Sequence, residues 1–103
     1  MPPTTRDTSA YGRQQLRARS KLLFGNADRL EVAVAVARSS GLVHAQELAD
    51  QLRISPPRVR TQLLAHVEAG LMIELPLARQ VKNYERVDDP YWHCIATIVE
   101  SWA

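Results

Sequence analysis

The sequence is poor in the residues that build several common kinds of functional site. It has one cysteine, Cys94, in 103 residues, so it cannot form an internal disulfide and has no cysteine partner at metal-ligand spacing. It has four glycines and contains no glycine-rich phosphate loop, no nucleophile elbow and no paired carboxylates suited to a cleft. These absences argue against an enzyme, and no cofactor is predicted.

Long apolar runs are also missing. No apolar stretch approaches the roughly 20 residues that a membrane-spanning helix needs. The first ten residues are polar and lack the apolar centre of a secretory signal. We therefore expect a cytoplasmic protein, of bacterial style, that has no membrane partner.

The excess of basic over acidic residues is small, but the charges are unevenly distributed along the chain. The net charge is only +2, yet residues 1–24 carry five basic side chains and one acid, whereas residues 83–103 carry four acids and one base. Residues 53–62 add three arginines and no acid. Such a distribution indicates that the ends of a small domain face different partners. A solvated surface with accidental clustering is the alternative.

Hydrophobic periodicity predicts a mainly α-helical domain with a small β-wing. Residues 1–9 lack periodicity and contain two prolines, so we expect a disordered basic tail before a single domain at 10–103. Ser55 is predicted to cap a helix that begins at Pro56, where a missing N–H costs nothing, and Gly70 to end it. The predicted order is helix 11–24, helix 28–39, strand Leu42–His44, helix 45–53, the capped helix, strands 71–75 and 81–87, and helix 91–102.

Residues 47–71 carry the most specific pattern. Two short amphipathic helices are joined by a tight corner at Ile54 and Ser55, and the second helix carries basic residues. A helix, a turn of three or four residues and a second helix form the layout of a helix-turn-helix. The hairpin that follows makes this a winged helix-turn-helix, and it indicates double-stranded DNA as the partner.

Several short motifs resemble ArsR-type and MarR-type bacterial repressors. They are Asp28-Arg29-Leu30, Glu47-Leu48-Ala49, Ile54-Ser55, Val59 with Leu63, and Glu68-Ala69-Gly70-Leu71 before the wing. The resemblance covers roughly residues 22–87. It implies a sequence-specific transcriptional regulator, more specifically a repressor, that acts as a homodimer through its first and last helices.

The recognition helix and the wing supply the predicted DNA contacts. The first turns of the second helix of a helix-turn-helix enter the major groove, where Arg58 or Arg60 could bond guanine and Thr61 could meet a base edge or a phosphate. Arg13 and Arg17 of the first helix are available for backbone contacts that position without reading sequence. The predicted DNA-binding residues are Pro57, Arg58, Arg60, Thr61 and Leu64 in the helix and Arg79, Gln80 and Lys82 in the wing.

Some residues depart from the pattern of these repressors and favour a second function. Pro56 and Pro57 cannot donate backbone N–H groups to a phosphate, and Leu64 stands where a basic or polar residue is usual. Acidic Glu47 and Asp50 lie on the helix that approaches the DNA backbone. The alternative is therefore a winged-helix protein-protein interaction module that does not bind DNA specifically. A repressor gated by a small-molecule effector is a third interpretation.

The sequence offers few residues that could bind a metal ion. The paired cysteines of metal-sensing ArsR-type proteins are absent from residues 42–47. Asp89 and His93, four residues apart, could each supply a ligand from two subunits to a zinc ion. A capping aspartate and a surface histidine are the simpler interpretation, so no metal is predicted. His44 and His66 are expected to be structural.

The last helix is rich in aromatic and aliphatic side chains, including three of the six aromatic residues of the chain. A terminal helix of a small domain has little core left to cover, so part of this surface is predicted to meet a second copy. Folding back onto the first helix in a monomer is the alternative. Cys94 is expected to be a small buried hydrophobe. The predicted dimer-interface residues are Leu16, Leu23, Tyr91, Trp92, Ile95, Ile98, Val99 and Trp102.

Overall fold

The structure is a computed structural model that describes residues 10–76 and 81–102. These residues form five helices and three strands. The predicted order of elements is confirmed, with ends that shift by a few residues, and the predicted tail at 1–9 lies outside the described residues. The helices are α1 (Ala10–Phe24), α2 (Arg29–Ala37), α3 (Ala45–Leu52), α4 (Pro56–Glu68) and α5 (Pro90–Trp102). The strands are β1 (Leu42–His44), β2 (Met72–Glu74) and β3 (Asn83–Arg86).

The three strands form an antiparallel sheet in the order β1-β3-β2. Val43 pairs with Tyr84 across β1 and β3, and successive side chains of a strand point to opposite faces. Tyr84, Val43 and Met72 are buried on the face that covers the core, while Leu42 and Ile73 are exposed on the other. The hairpin of β2 and β3 is the predicted wing, and β1 fastens it to the helices.

Helix α2 lies at the centre of the core. Helices α1, α3, α4 and α5 all pack against it, so it can be apolar almost all round, as the sequence predicts. No helix within the described ranges is long and apolar enough to cross a membrane. The buried aliphatic residues of α2 are Leu30, Val32, Ala33, Val34 and Val36.

The start of α4 differs in its chemistry from the predicted cap. Ser55 has the extended backbone of a capping residue, but its hydroxyl makes no capping hydrogen bond. A capping hydroxyl accepts from the N–H of the second or third helical residue. Pro57 has no N–H, and the N–H of Arg58 donates to the Ser55 carbonyl at 3.0 Å. Ser55 is therefore the N-cap residue and the helix begins at Pro56, both as predicted, but the cap has no side-chain hydrogen bond.

Arg86 of β3 closes the C-terminal end of α2. Its Nη1 donates to the carbonyl oxygens of Val36 at 2.7 Å, Ala37 at 3.2 Å and Ser39 at 3.2 Å. The last carbonyls of a helix have no partner within the helix, and a cation suits the negative end of the helix dipole. One side chain of the wing thus satisfies the end of the central helix.

Candidate nucleic-acid interface

Helices α3 and α4 meet at the tight corner that the sequence predicts. Arg53 ends α3 in the left-handed conformation, with φ 58° and ψ 46°, and its N–H donates to the carbonyl of Ala49. Ile54 follows, and its N–H donates to the same oxygen at 3.2 Å. Since the Ile54 side chain is buried in the core, the corner holds α4 at a fixed angle to α3.

Helix α4 has one buried and one exposed face. Val59, Gln62, Leu63 and His66 are buried, and their spacing of three and four residues puts them on one side of the helix. The residues of α4 that the sequence predicts to touch DNA are all exposed on the opposite side. This recognition face comprises Pro57, Arg58, Arg60, Thr61 and Leu64.

Arg58 is bound to a carboxylate of the protein itself. Its Nε donates to Asp28 Oδ2 at 3.0 Å, and its Nη2 donates to Oδ1 at 2.7 Å. Burial alone would raise the pKa of Asp28, but hydrogen bonds from Arg58 and Arg17 outweigh it and hold that pKa below its ordinary value. The charged pair ties the first turn of α4 to the start of α2.

Arg13 and Arg17 of α1 form internal ion pairs, so the expectation that they contact DNA phosphates is corrected. Arg13 Nε donates to Glu31 Oε2 at 2.6 Å. Arg17 Nη1 donates to Glu31 Oε1 at 2.7 Å and to Asp28 Oδ1 at 2.8 Å. The side chains of Glu31 and Asp28 are only 8% exposed, and a buried carboxylate needs cationic partners. An acid within the otherwise apolar run 30–37 of α2 was the available signal in the sequence.

The first turn of α4 offers no backbone N–H to an anion, in agreement with the prediction from its two prolines. Pro56 and Pro57 have no N–H. The N–H groups of Arg58 and Val59 donate to the carbonyl of Ser55 at 3.0 Å and 3.1 Å. Any phosphate near this turn would therefore be held by side chains.

Arg60 is the one charged residue in the rest of the recognition face, which comprises Pro57, Arg60, Thr61 and Leu64. Thr61 donates its O–H to the carbonyl of Pro57 at 3.0 Å, which uses its one donor within the helix. Leu64 is 44% exposed. Arg60 is exposed and, in the part of the chain that the structure describes, takes part in no ion pair or side-chain hydrogen bond.

One predicted wing contact lies within the described residues. Lys82 Nζ is 3.2 Å from Glu74 Oε2, and both side chains are partly exposed. An exposed pair of this kind is weak, so Lys82 can exchange Glu74 for a phosphate at little cost. Arg79 and Gln80 lie outside the described residues and stay predictions.

The predicted dimer residues of α5 divide between the core and the surface. Trp92 is only 4% exposed, and its Nε1 donates to the carbonyl of Val87 at 3.0 Å. Trp92 and Ile95 belong to the core of their own chain, so they can contribute little to a contact with a second copy. Ile98 is 44% exposed and remains available. Tyr91, Val99 and Trp102 are half-buried.

Helix α1 ends in exposed apolar residues, among them Leu23, a predicted dimer-interface residue. Leu23 is 63% exposed and its neighbour Leu22 is 82% exposed. Leu16 packs partly against the core. The Arg19 guanidinium lies 4.7 Å from the centre of the Trp102 ring, which joins α1 to the end of α5. The available signal for Leu22 was the run of three apolar residues at the end of α1.

Asp89, a candidate zinc ligand, caps α5, and the single cysteine lies at the surface. Cys94 is exposed, so the expectation that it is buried is wrong. The buried residues Trp92 and Ile95 lie on one side of α5, and Cys94 lies on the other. Asp89 Oδ1 accepts the N–H of Tyr91 at 2.9 Å, the bond of a capping aspartate. Within the described ranges, no group of three or more potential ligands is placed to hold a metal ion.

His66 forms a buried polar contact between α4 and α5. Its Nδ1 lies 2.7 Å from the carbonyl of Gln62, and its Nε2 lies 2.8 Å from the Tyr91 hydroxyl. Its ring stacks on Trp92 at 5.2 Å. Burial lowers the pKa of His66, against the effect of the Gln62 hydrogen bond. The predicted structural role of His66 is confirmed, while its partners were not predicted.

The fold resembles those of two solved transcription regulators. MepR, a transcription regulator of the Staphylococcus aureus multidrug efflux pump MepA, matches with a TM-score of 0.62 and 14% sequence identity over 91% of this chain and 69% of that chain. The AntR antimony-specific transcriptional repressor matches with a TM-score of 0.55 and 20% identity over 99% of this chain and 84% of that chain. No protein-family model and no curated protein matches the sequence. The predicted winged helix-turn-helix fold is confirmed.

Proposed function

We propose that this protein is a sequence-specific DNA-binding transcriptional regulator, more specifically a repressor, that acts in the cytoplasm as a homodimer. The recognition face carries this proposal. Five side chains of α4 are exposed together on a helix whose angle to α3 is fixed by the buried corner at Ile54. That is the arrangement by which a recognition helix enters the major groove. The solved structures of similar fold, described as a transcription regulator and a transcriptional repressor, support it.

The wing and the end of α3 flank the recognition face. Lys82, with Arg79 and Gln80 of the wing loop, supplies backbone or minor-groove contacts. Arg53, exposed at the corner, is a further cation beside the face. Phosphate contacts of this kind fix the register of a protein on the duplex and supply much of its affinity.

The proposed dimer uses the surface that α1 and α5 leave exposed. Its exposed apolar residues are Leu23 and Ile98, with Leu22 added from the structure. Leu16, Tyr91, Val99 and Trp102 of the same two helices are half-buried. A two-fold axis through this surface would present two recognition helices to one side of a duplex. Half-sites about 34 Å apart, one helical turn, would then form a palindromic operator.

The test is capture of duplexes from a random-sequence pool, followed by titration of the enriched duplex and an unselected one at two salt concentrations. We expect a common enriched sequence that binds more tightly than the unselected duplex and more weakly as salt rises. Arg60→Ala should lower the affinity for both duplexes by about eightfold per subunit at 0.1 M salt, the effect of one lost phosphate contact. A loss confined to the enriched duplex would instead make Arg60 a base-reading residue.

Arg38→Ala is the matched control for Arg60→Ala. Arg38 is also an exposed arginine, and its Nη2 lies 3.5 Å from Glu100 on α5. Arg38 follows the C-terminal end of α2, which is the end away from the DNA-facing side. The substitution therefore removes one positive charge that is distant from the proposed DNA contacts. Its affinity for both duplexes should stay near that of the unaltered protein. An equal loss in both variants would mean that only net charge matters.

The second candidate function is a winged-helix protein-protein interaction module. The exposed Leu64 favours it, together with the internal bonds that occupy Arg58 and Thr61. A folded protein that captured no duplex, even at low salt, would favour this candidate over the regulator.

A further inference from the structure

We propose that the recognition face reads thymine methyl groups, so that the operator is recognised by an apolar stripe of α4 with an arginine on either side of it. The inference rests on the proposed DNA-binding function and specifies the chemistry that the helix recognises. It replaces the expectation from the sequence that Arg58 or Arg60 bonds guanine.

The stripe consists of Pro57, Thr61 and Leu64. Their spacing of four and three residues lines them up along one side of the helix, and all three are exposed. None has a free donor: Pro57 and Leu64 have no polar side-chain atom, and Thr61 donates its O–H to the Pro57 carbonyl at 3.0 Å. Only the first turns of such a helix enter the groove, so Glu68 at its end lies beyond the bases.

The two arginines lie on opposite flanks of this stripe. At about 100° per residue, Arg58 and Arg60 are turned by roughly 70–90° to either side of it. A helix in the major groove has a phosphate backbone along each flank and base edges under its centre. The charges therefore match the two backbones, while the apolar stripe faces the bases.

Arg58 is oriented for its flank by Asp28. The carboxylate takes Nε and Nη2 and leaves Nη1 without a partner in the described part of the chain. The Arg58 side chain is 52% exposed, whereas Asp28 is 8% exposed and also accepts from Arg17. The guanidinium is thus fixed on its inner edge and open to solvent on the other, as suits a phosphate contact of defined direction.

The thymine methyl is the apolar group that the major groove displays. It projects from one base only, and apolar side chains read it by contact, whereas guanine, cytosine and adenine present mainly hydrogen-bonding atoms there. A stripe without free donors leaves those atoms unpaired, and unpaired polar groups are costly at a dry contact. The stripe therefore favours thymine at the bases beneath it.

The experiment replaces thymine by uracil, which removes the methyl and keeps the base pairing. Variants of the enriched duplex carry uracil in place of one thymine of the common enriched sequence at a time, and each variant is titrated with the unaltered protein. Duplexes with uracil outside the common sequence are the control. We expect about a fourfold loss of affinity for each contacted methyl, corresponding to the burial of one apolar carbon, and no loss for the outside positions.

Leu64→Ala links the loss to the stripe. At the position that Leu64 contacts, the uracil penalty should vanish in this variant, because the methyl then has no partner to lose. Ile73→Ala is the matched control, since Ile73 is exposed to a similar degree, 50% against 44%, on the outer face of the sheet. Its uracil penalties should equal those of the unaltered protein.

The outcomes separate this inference from the proposed function. Specific binding that is indifferent to uracil overturns the methyl-reading stripe and leaves the regulator intact. An enriched sequence in which guanine dominates and Arg58→Ala changes the preferred base restores arginine as the reader and also overturns it. Capture of no duplex at all overturns both.

Discussion

The buried contact between His66 and Tyr91 gives the sharpest prediction for stability. The Gln62 carbonyl can only accept, so Nδ1 of His66 carries the proton that fills the 2.7 Å contact. Nε2 is then the acceptor, and the Tyr91 hydroxyl donates to it at 2.8 Å. This assignment of the ring follows from the hydrogen-bond network. Tyr91→Phe removes the donor and leaves Nε2 unpaired in a side chain that is 3% exposed.

The expected cost follows from that unpaired nitrogen. Leaving a buried acceptor without a partner costs about 1–3 kcal/mol. For a domain of this size, the midpoint of thermal unfolding should fall by about 4–24 °C. His66→Leu combined with Tyr91→Phe replaces both polar partners by apolar groups of similar size, and its stability should return close to that of the unaltered protein.

The same contact predicts how stability depends on pH. Burial and the charge of Arg29 hold the pKa of His66 below its ordinary value of 6.5, so the folded protein binds this proton less readily than the unfolded chain. The stability that neutral His66 contributes to the folded protein is fully present above pH 6.5. It is lost as the pH falls through the lowered pKa of His66 in the folded state. Asp28, with its own pKa held below 3.8, acts only in stronger acid.

Thermal unfolding followed by circular dichroism, in steps between about pH 7.5 and pH 5, measures both effects. The unaltered protein should lose stability across this range, and the His66→Leu/Tyr91→Phe variant should lose distinctly less. A Tyr91→Phe variant as stable as the unaltered protein would refute the assigned hydrogen bond. An unchanged pH dependence in the double variant would refute the role of His66.

Two further substitutions test the core and the proposed dimer. Leu63→Ala empties a fully buried position of α4 and should lower the free energy of unfolding, measured with denaturant, by about 2–5 kcal/mol. Leu64→Ala, on the exposed side, should change that free energy by no more than about 0.5 kcal/mol. Similar losses for both variants would contradict the orientation of α4. Ile98→Glu places a charge on the exposed side of α5 and should shift sedimentation from dimer to monomer. Cys94→Glu, a charge on the same helix, would show whether the effect is local to Ile98.

The sequence predicted the fold well because its signals are local. Gly25 and Gly70, at φ 77° and 81°, end α1 and α4 where the chain needs left-handed backbone that glycine adopts freely. The periodicity of buried residues, from Val59 to His66, placed the exposed face of α4 on the correct side. Patterns of this kind depend on neighbours within one or two turns.

The pairing of charges could not be predicted in the same way. The sequence suggested that Arg13 and Arg17 are unpaired cations on a basic helix. Their partners, Glu31 and Asp28, lie 18 and 11 residues away along the chain. Trp92 likewise read as a surface residue of a terminal helix, whereas its ring fills a place in the core beside His66. These roles depend on how α1 and α5 pack on α2, which no local pattern encodes.

The bonds from Arg86 to the end of α2 have a consequence for how the protein opens. The wing strand supplies a donor to the carbonyl oxygens of Val36 and Ala37 at the end of the central helix and of Ser39 just beyond it, so detachment of β3 would break all three of these bonds together. Amide hydrogen exchange should therefore report one cooperative unit that contains β3 and the last turn of α2. The wing of this protein is thereby anchored at its base to the helix that lies at the centre of the core.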